Sequence, residues 1–512
     1  SYASLWLMAP GESIIAPEVA WGASAYAYWS GTSMSTPEVA GAVALLEAAW
    51  PILKTNGGAP AILFASATDL GAKGVDSTFG NGLLNIAKAF QPVGTLSVIG
   101  VNGQPSPVAS QPGSVVASGA LGALPGVRSV LSSYTTFDAY RRNFTSNLSG
   151  MVTAASTSSN SQPFVAAPTR TTTNAVRGGQ FTVVGSDTPW LEQDAFGGDA
   201  SYDFNDRMLG HRDRSVSLLE FAGTNGDYLA VGHGVSSTLS FAQAAWGANS
   251  LAAEQASGLG VNSALVDLAQ GGYSAAAGAA GFGRLRVAMT WTSSAPPIGS
   301  AFAADRSRSD ATAIAVALTA RITPRWSLGA TLSSLKEDNA LLGTTYVGDG
   351  LVSLGARHDS SQAGISSVFD VGGRRSILAE ATVVDVSGAS MTSGLVRDVS
   401  PLQARAFGLS FIQGDALMSG DSLSISVRKP LRVVSGDARI AVTSVDAEGN
   451  PVMSFTPVSL APSGNETDLT LGYASPARDQ ISWRGLVSLR DDADNQAGRK
   501  DVAFRLGLNW GF

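Results

Sequence analysis

From residue 285 to the end of the chain, apolar side chains recur at every second position. Leu285, Val287, Met289 and Trp291 alternate with Arg286, Ala288 and Thr290. Ile314, Val316, Leu318, Ala320 and Ile322 continue the pattern, and after Thr323-Pro324-Arg325 so do Trp326, Leu328, Ala330 and Leu332. Phe407, Leu409 and Phe411, then Leu423, Ile425 and Val427, then Leu469, Leu471 and Tyr473, show the same period. On a strand successive side chains point to opposite faces, so each segment has one apolar and one polar face. Many strands of about ten residues, with aromatics near their ends, fit an antiparallel transmembrane β-barrel. A soluble β-sandwich shows similar alternation and stands as the alternative. Arg284, Arg286, Arg428 and Arg484 fall opposite the apolar set and would line a lumen. Arg405 shares parity with Phe407, so it belongs at a strand end or a register break.

Composition agrees with a lipid-facing surface. Charged residues make up 14% of the 512, against about 25% in ordinary globular domains. No apolar run reaches the ~18 residues of a membrane-spanning helix. The chain is too long for one ordinary core, so several domains are expected. A net charge of −7 without a Lys/Arg cluster argues against nucleic acid as a partner. The absence of cysteine excludes disulfides, thiolate metal sites and cysteine catalysis.

The most informative short segment is Gly31-Thr32-Ser33-Met34-Ser35-Thr36-Pro37-Glu38-Val39-Ala40-Gly41. It reads as a loop entering a helix, with Pro37 in the first helical turn. Val39, Val43, Leu46 and Trp50 follow at helical spacing, and Pro51 stops the helix. Ser33 is then expected just before a helix N-terminus, where unpaired N–H groups and the helix dipole favour negative charge. That placement suits a nucleophile whose attack creates an oxyanion. A helix-capping serine is the plainer alternative.

Between about 93 and 177 the chain turns rich in Ser, Thr, Pro and Gly and reads as linker. Within it Phe137, Tyr140, Phe144 and Leu148, beside Arg141 and Arg142, predict a short amphipathic helix over Tyr134 to Val152.

The Gly31–Gly41 stretch resembles the nucleophile motif of the subtilase family, with Glu38 where the family usually has His. Met8-Ala9-Pro10-Gly11 resembles the loop preceding the serine, and Phe79-Gly80-Asn81-Gly82-Leu83-Leu84-Asn85 the segment closing the catalytic domain. The resemblance implies a serine endopeptidase acting on polypeptides, with Ser33 as nucleophile, its backbone N–H in the oxyanion hole, and Gly31, Thr32, Met34 and Pro37 shaping the loop and helix start. The family's Asp and His precede the serine. No Asp or His lies before Ser33 here, and His211, His233 and His358 come far later. The chain is therefore expected to be a C-terminal fragment, inert as it stands. It is expected to need no cofactor; calcium sites, common in the family, are assignable to no residue here.

At the other end Val502, Phe504, Leu506, Leu508, Trp510 and Phe512 alternate to the last residue. Arg505, Gly507, Trp510 and Phe512 resemble the terminal assembly signal of bacterial outer-membrane barrels. The order protease, linker helix, terminal barrel resembles the autotransporter (type V secretion) serine proteases of Gram-negative bacteria. That resemblance implies a barrel of about twelve strands in the outer membrane, partnered by its lipid and the barrel-assembly machinery. It also implies a helix in the pore and a protease exposed or released outside. The expected organisation is multidomain: a subtilisin-like α/β fragment over 1–92, a linker with a possible helix over 93–177, and a β-rich region over 178–512 with the barrel proper from about 270. Two other readings fit the residues: a soluble secreted subtilase with a β-rich binding domain, and an adhesin or scaffold with a degenerate protease passenger.

Overall fold

The computed structural model describes residues 2–22, 24–108, 115–154, 169–186, 217–233, 237–247, 250–269, 273–280, 284–294, 310–346, 350–476 and 481–510. The chain opens with a hairpin, Ile14–Pro17 against Tyr26–Trp29. Helices α1 (Thr32–Ala49), α2 (Ile52–Asn56), α3 (Gly58–Ser66) and α4 (Ile86–Ala89) follow. As the apolar spacing predicts, Leu46 is fully buried, with Val39, Val43 and Trp50 packed around it and Leu53, Ile62, Leu63 and Ala89 completing the core. The helix stops at Ala49, two residues before Pro51, whose ring cannot continue the hydrogen-bond ladder.

The stretch expected as linker is folded wherever it is described between 93 and 154, and the expected helix over Tyr134 to Val152 is absent. Its place is taken by antiparallel strands Tyr134–Phe137 and Asn143–Ser146 and a short 3-10 turn at Ser149–Met151. Arg141 adopts φ 63°, reversing the chain where a helix would run through. The neighbouring Arg142 is fully buried. Its guanidinium donates to Asp138 at 3.0 and 2.7 Å and to the carbonyl of Gln91 at 2.8 Å, and also reaches the carbonyl of Ala89. It stacks 4.8 Å from the ring centre of Trp50. Helical spacing of the aromatics thus loses to a tertiary arrangement that fixes one arginine on both units.

Helix α5 (Pro125–Leu131) and its flanks supply Leu121, Leu124, Val127, Leu131 and Tyr134 to the largest core of the molecule. There they meet Leu354 and Leu395 from loops, Leu341 and Ile440 from the short strands Ala340–Leu341 and Asp437–Val445, and Leu335, Val384 and Val433 from strands of the large sheet. Residues 97–154 therefore cap one end of the sheet that follows.

That sheet is an antiparallel meander. Among the described residues it has fifteen strands, from Thr169–Val176 to Lys500–Trp510, each beside its predecessor in sequence. Eleven begin at Tyr273 or later and four lie between Thr169 and His233, which replaces the expected count of about twelve starting near 270. No pairing joins the first and last strands among the described residues. Among the described residues the first strand of the sheet starts on the side of the long connections, 339–356, 387–401 and 436–466, and the last strand ends on the side of the tight turns.

The two faces of the sheet are inverted relative to a water-soluble core. Met289, Trp291, Ile314, Val316, Leu318, Leu332, Ile365, Leu409, Leu471 and Phe504 are all exposed on the outer face. The opposite face buries Ala313, Ala315, Ala317, Ser366, Gln362 and Glu380. Against this inner face pack α6 (Ser237–Trp246), α7 (Leu251–Leu259) and α8 (Ala264–Leu268). The interior helices thus come from 237–268 and not from the stretch expected to supply one. Gln255 donates to the carbonyls of Ser376 and Ser410 at 3.2 and 3.0 Å, and Asn262 to that of Ile365 at 3.0 Å. Thr319 reaches the carbonyl of Ala245 at 2.9 Å. A Cβ on Gly278 would lie 2.1 Å from the carbonyl oxygen of Ala244, so only glycine admits α6 there.

These contacts require a curled sheet. Phe241 of α6 shares a core with Tyr228, while Glu254 of α7 pairs with Arg484 at 3.8 Å. Tyr228–His233 and Ile481–Asp491 lie ten strand spacings apart along the sheet, about 48 Å if flat. Two short packed helices, with axes about 8–10 Å apart, touch both. Arg286 and Arg428 point inward, to the carbonyl of Ala244 and to Asp468 at 2.8 Å. Arg284 instead sits exposed on a turn. Arg405 lies at a register shift, between Arg405 and Phe407, as its parity predicts.

Candidate active site

Ser33 is the second residue of α1. The helix begins at Thr32, two residues earlier than a serine just before the helix implies, so Ser33 lies within its first turn and Pro37 is displaced to the second. Gly31 ends the preceding loop at φ 149°, a conformation that disfavours any side chain. Met34 N–H bonds back to the Gly31 carbonyl at 3.0 Å, and the Thr36 hydroxyl donates to the carbonyl of Thr32 at 2.9 Å. Pro37 has no N–H to offer the carbonyl of Ser33. The Ser33 N–H is one of the amides that a helix start leaves without an intrahelical acceptor. The side chain is exposed, at the positive end of an 18-residue helix.

The three segments singled out in the sequence meet here. Gly31 N–H donates to the carbonyl of Gly11 at 2.7 Å. The Ser35 hydroxyl donates to the carbonyl of Ala9 at 3.0 Å. A Cβ on Gly11 would stand 2.2 Å from the Ser35 Oγ, so the loop closes on the helix only with glycine there. One residue back, Met8 N–H bonds the carbonyl of Gly82 at 2.9 Å, and Leu84 N–H bonds the carbonyl of Met8 at 2.7 Å. The Asn81 side chain donates to the carbonyls of Ser4 and Trp6 at 3.1 and 2.8 Å. Ser35 and Asn81 hold the site together, and the sequence flagged neither for that task.

No catalytic base is brought to Ser33 among the described residues. His233 stacks on Tyr273, ring centres 4.8 Å apart. His358 is buried between the carbonyls of Leu354 and Ser387, at 2.9 and 3.1 Å. His211 lies outside the described residues. At the chain end Arg505, Gly507 and Trp510 fall on strand Lys500–Trp510, opposite Leu486, Arg484 and Ile481. Phe512 lies outside the described residues.

The subtilase family model matches residues 1–82, so this part of the chain is related to the serine proteases of that family. No curated protein matches the chain. Among solved structures, a porin is similar at 12% sequence identity with a TM-score of 0.31, covering 67% of this chain and 90% of its own.

Proposed function

We propose that the chain carries the nucleophile segment of a serine endopeptidase, anchored in a Gram-negative outer membrane by its sheet in the manner of an autotransporter. The protease would then stand at the cell surface or be released from it. Ser33 Oγ attacks the scissile carbonyl and forms an acyl-enzyme, while its backbone N–H donates to the developing oxyanion. The proton goes to a histidine supplied from outside residues 1–92, which contain none; by itself this segment is inert. The chain of contacts from the start of α1 to Ala9-Gly11, and from Met8 to Gly82 and Leu84, supports this reading. A capping serine in an unrelated fold would need no such contacts.

The anchor rests on the inverted sheet. An exposed apolar face this extensive is foreign to a soluble monomer, and strands satisfy their backbone groups in lipid only when paired with neighbours. Arg505, Gly507, Trp510 and Phe512 are proposed as the signal read by the barrel-assembly machinery.

Fluorophosphonate labelling of the protein expressed from its whole reading frame tests the enzyme, with an adduct expected on Ser33 and lost in Ser33→Ala. Labelling at another residue, or at none, removes the hydrolase assignment. Detergent-dependent extraction and a heat-dependent gel shift test the anchor, and deleting Phe512 should reduce membrane assembly. A fully soluble, unshifted sheet rejects the membrane reading.

A further inference from the structure

At the edge of the sheet away from the cap, Arg284 lies beside the tight turns between Thr323 and Trp326 and between Asp370 and Arg375. Backbone bonds tie them into one rim: Arg321 N–H to the carbonyl of Arg284 at 3.0 Å, Asp370 N–H to that of Arg325 at 2.7 Å, and Gly414 N–H to that of Arg374 at 2.8 Å. Arg284, Arg321, Arg325, Arg374 and Arg375 are all exposed on it. Arg374 pairs with Asp415 at 3.2 Å, and Arg284 donates to the carbonyl of Ile322 at 3.3 Å. Among the described residues Arg321, Arg325 and Arg375 have no ion pair. The nearby Asp370 accepts the N–H of Gly372 at 2.8 Å.

Beside Arg325 and Arg375 the outer face begins, whereas Arg321, paired with Ser327, shares the parity of the inner face. Ile322, Trp326, Phe369 and Ile377 are exposed there, Trp326 and Phe369 are cross-strand partners, and Arg375 shares its strand face with Ile377. Cations on the border of an apolar band match the headgroup level of a bilayer. A guanidinium offers two parallel donors to one phosphate. We propose that this rim binds the phosphate of anionic phospholipids, with Arg325 and Arg375 as donors. The proposal rests on the reading that the outer face meets lipid.

The test inserts the whole chain into vesicles of phosphatidylcholine, with and without phosphatidylglycerol, and measures lipids retained after detergent extraction. One cation beside anionic lipid is worth about fivefold in partitioning. Wild type should therefore retain phosphatidylglycerol roughly 25-fold over R325Q/R375Q, and the corresponding lysine variant should keep a large part of that preference. Equal retention by wild type and the Gln variant, both inserted and heat-shifted, overturns the site. Displacement of the lipid by inorganic phosphate at matched concentration overturns the lipid as its ligand. Failure to insert into either vesicle rejects the membrane reading and the lipid site with it.

Discussion

Leu46 in α1 and Ile365 in the sheet are both branched apolar residues in the middle of a regular element. Leu46 is fully buried, whereas Ile365 is 67% exposed. The core around Leu46 follows the usual rule, with aliphatic side chains inside, although Leu45, Ile15 and Val19 of the same region are exposed. The sheet reverses it, placing Ile, Leu and Val outward and Ser, Thr, Gln and Glu against its helices. Backbone pairing alone does not explain the reversal, because a strand is equally satisfied with either face outward. The difference lies in the solvent each face is built for, and substitutions that exchange the two rules read it directly.

The largest effect is expected where the two regions join. Arg142→Ala leaves Asp138 buried without its cation and removes the link to Ala89 and Gln91. Breaking one side of a buried pair costs about 3–5 kcal/mol. Denaturant unfolding should show the helical unit losing this stability while the heat shift of the sheet survives. Simultaneous loss of both would show that the two regions fold as one.

Next in size is a charge on the outer face. Ile365→Arg should destabilise the inserted sheet by about 2–4 kcal/mol, the penalty for a cation at the bilayer midplane. In a soluble domain the same exposed position accepts arginine almost neutrally. Urea titration of vesicle-inserted protein reads the difference, and a neutral result contradicts a lipid-facing sheet.

The same contrast explains what is legible in the sequence. Strand alternation is local, so the residue order alone marks the outer face from Leu285 to Trp291 and from Ile314 to Ile322. The nucleophile motif is local too, and its helix starts within two residues of expectation. The remainder depends on contacts between distant residues. The bond from Ser35 to Ala9 spans 26 positions and that from Asn81 to Trp6 spans 75. Tyr134 to Val152 fails as a helix because Arg142 is claimed by Asp138, Trp50 and the end of α4. The helices α6 to α8 leave no clear mark in the sequence because Ala- and Ser-rich segments carry little periodicity. The side chains they meet, such as Ala315 and Ala317, are as small as their own.

A smaller effect separates the cap from both regions. The Tyr134 hydroxyl donates to the carbonyl of Ala441 in the cap core, and burial pushes its phenol up to about 12. A folded-state pKa raised above the unfolded value of about 10 gives stability that is complete below pH 10 and is lost as pH rises through 12. Tyr134→Phe should cost about 1 kcal/mol at neutral pH for the missing hydrogen bond and remove part of the alkaline decline. Parallel pH profiles for wild type and variant would place the titration on another group.

The smallest effect lies in the loop over residues 69–82, which bonds to Trp6 and Met8. Asp76 accepts the N–H groups of Phe79, Thr78 and Ala72, at 2.7, 2.8 and 3.1 Å. These bonds hold its carboxyl below the usual carboxylate range. A depressed folded-state pKa contributes stability above the unfolded value and loses it as pH falls through the folded one. Asp76→Asn keeps an acceptor oxygen but has nothing to titrate. Protease nicking of residues 69–82 should therefore rise with acidification in wild type and start higher but stay flatter in the variant. The heat shift of the sheet, built far from this loop, should be the same for both. An equally acid-sensitive loop in Asp76→Asn would show that the Asp76 carboxylate is not what ties the loop to pH.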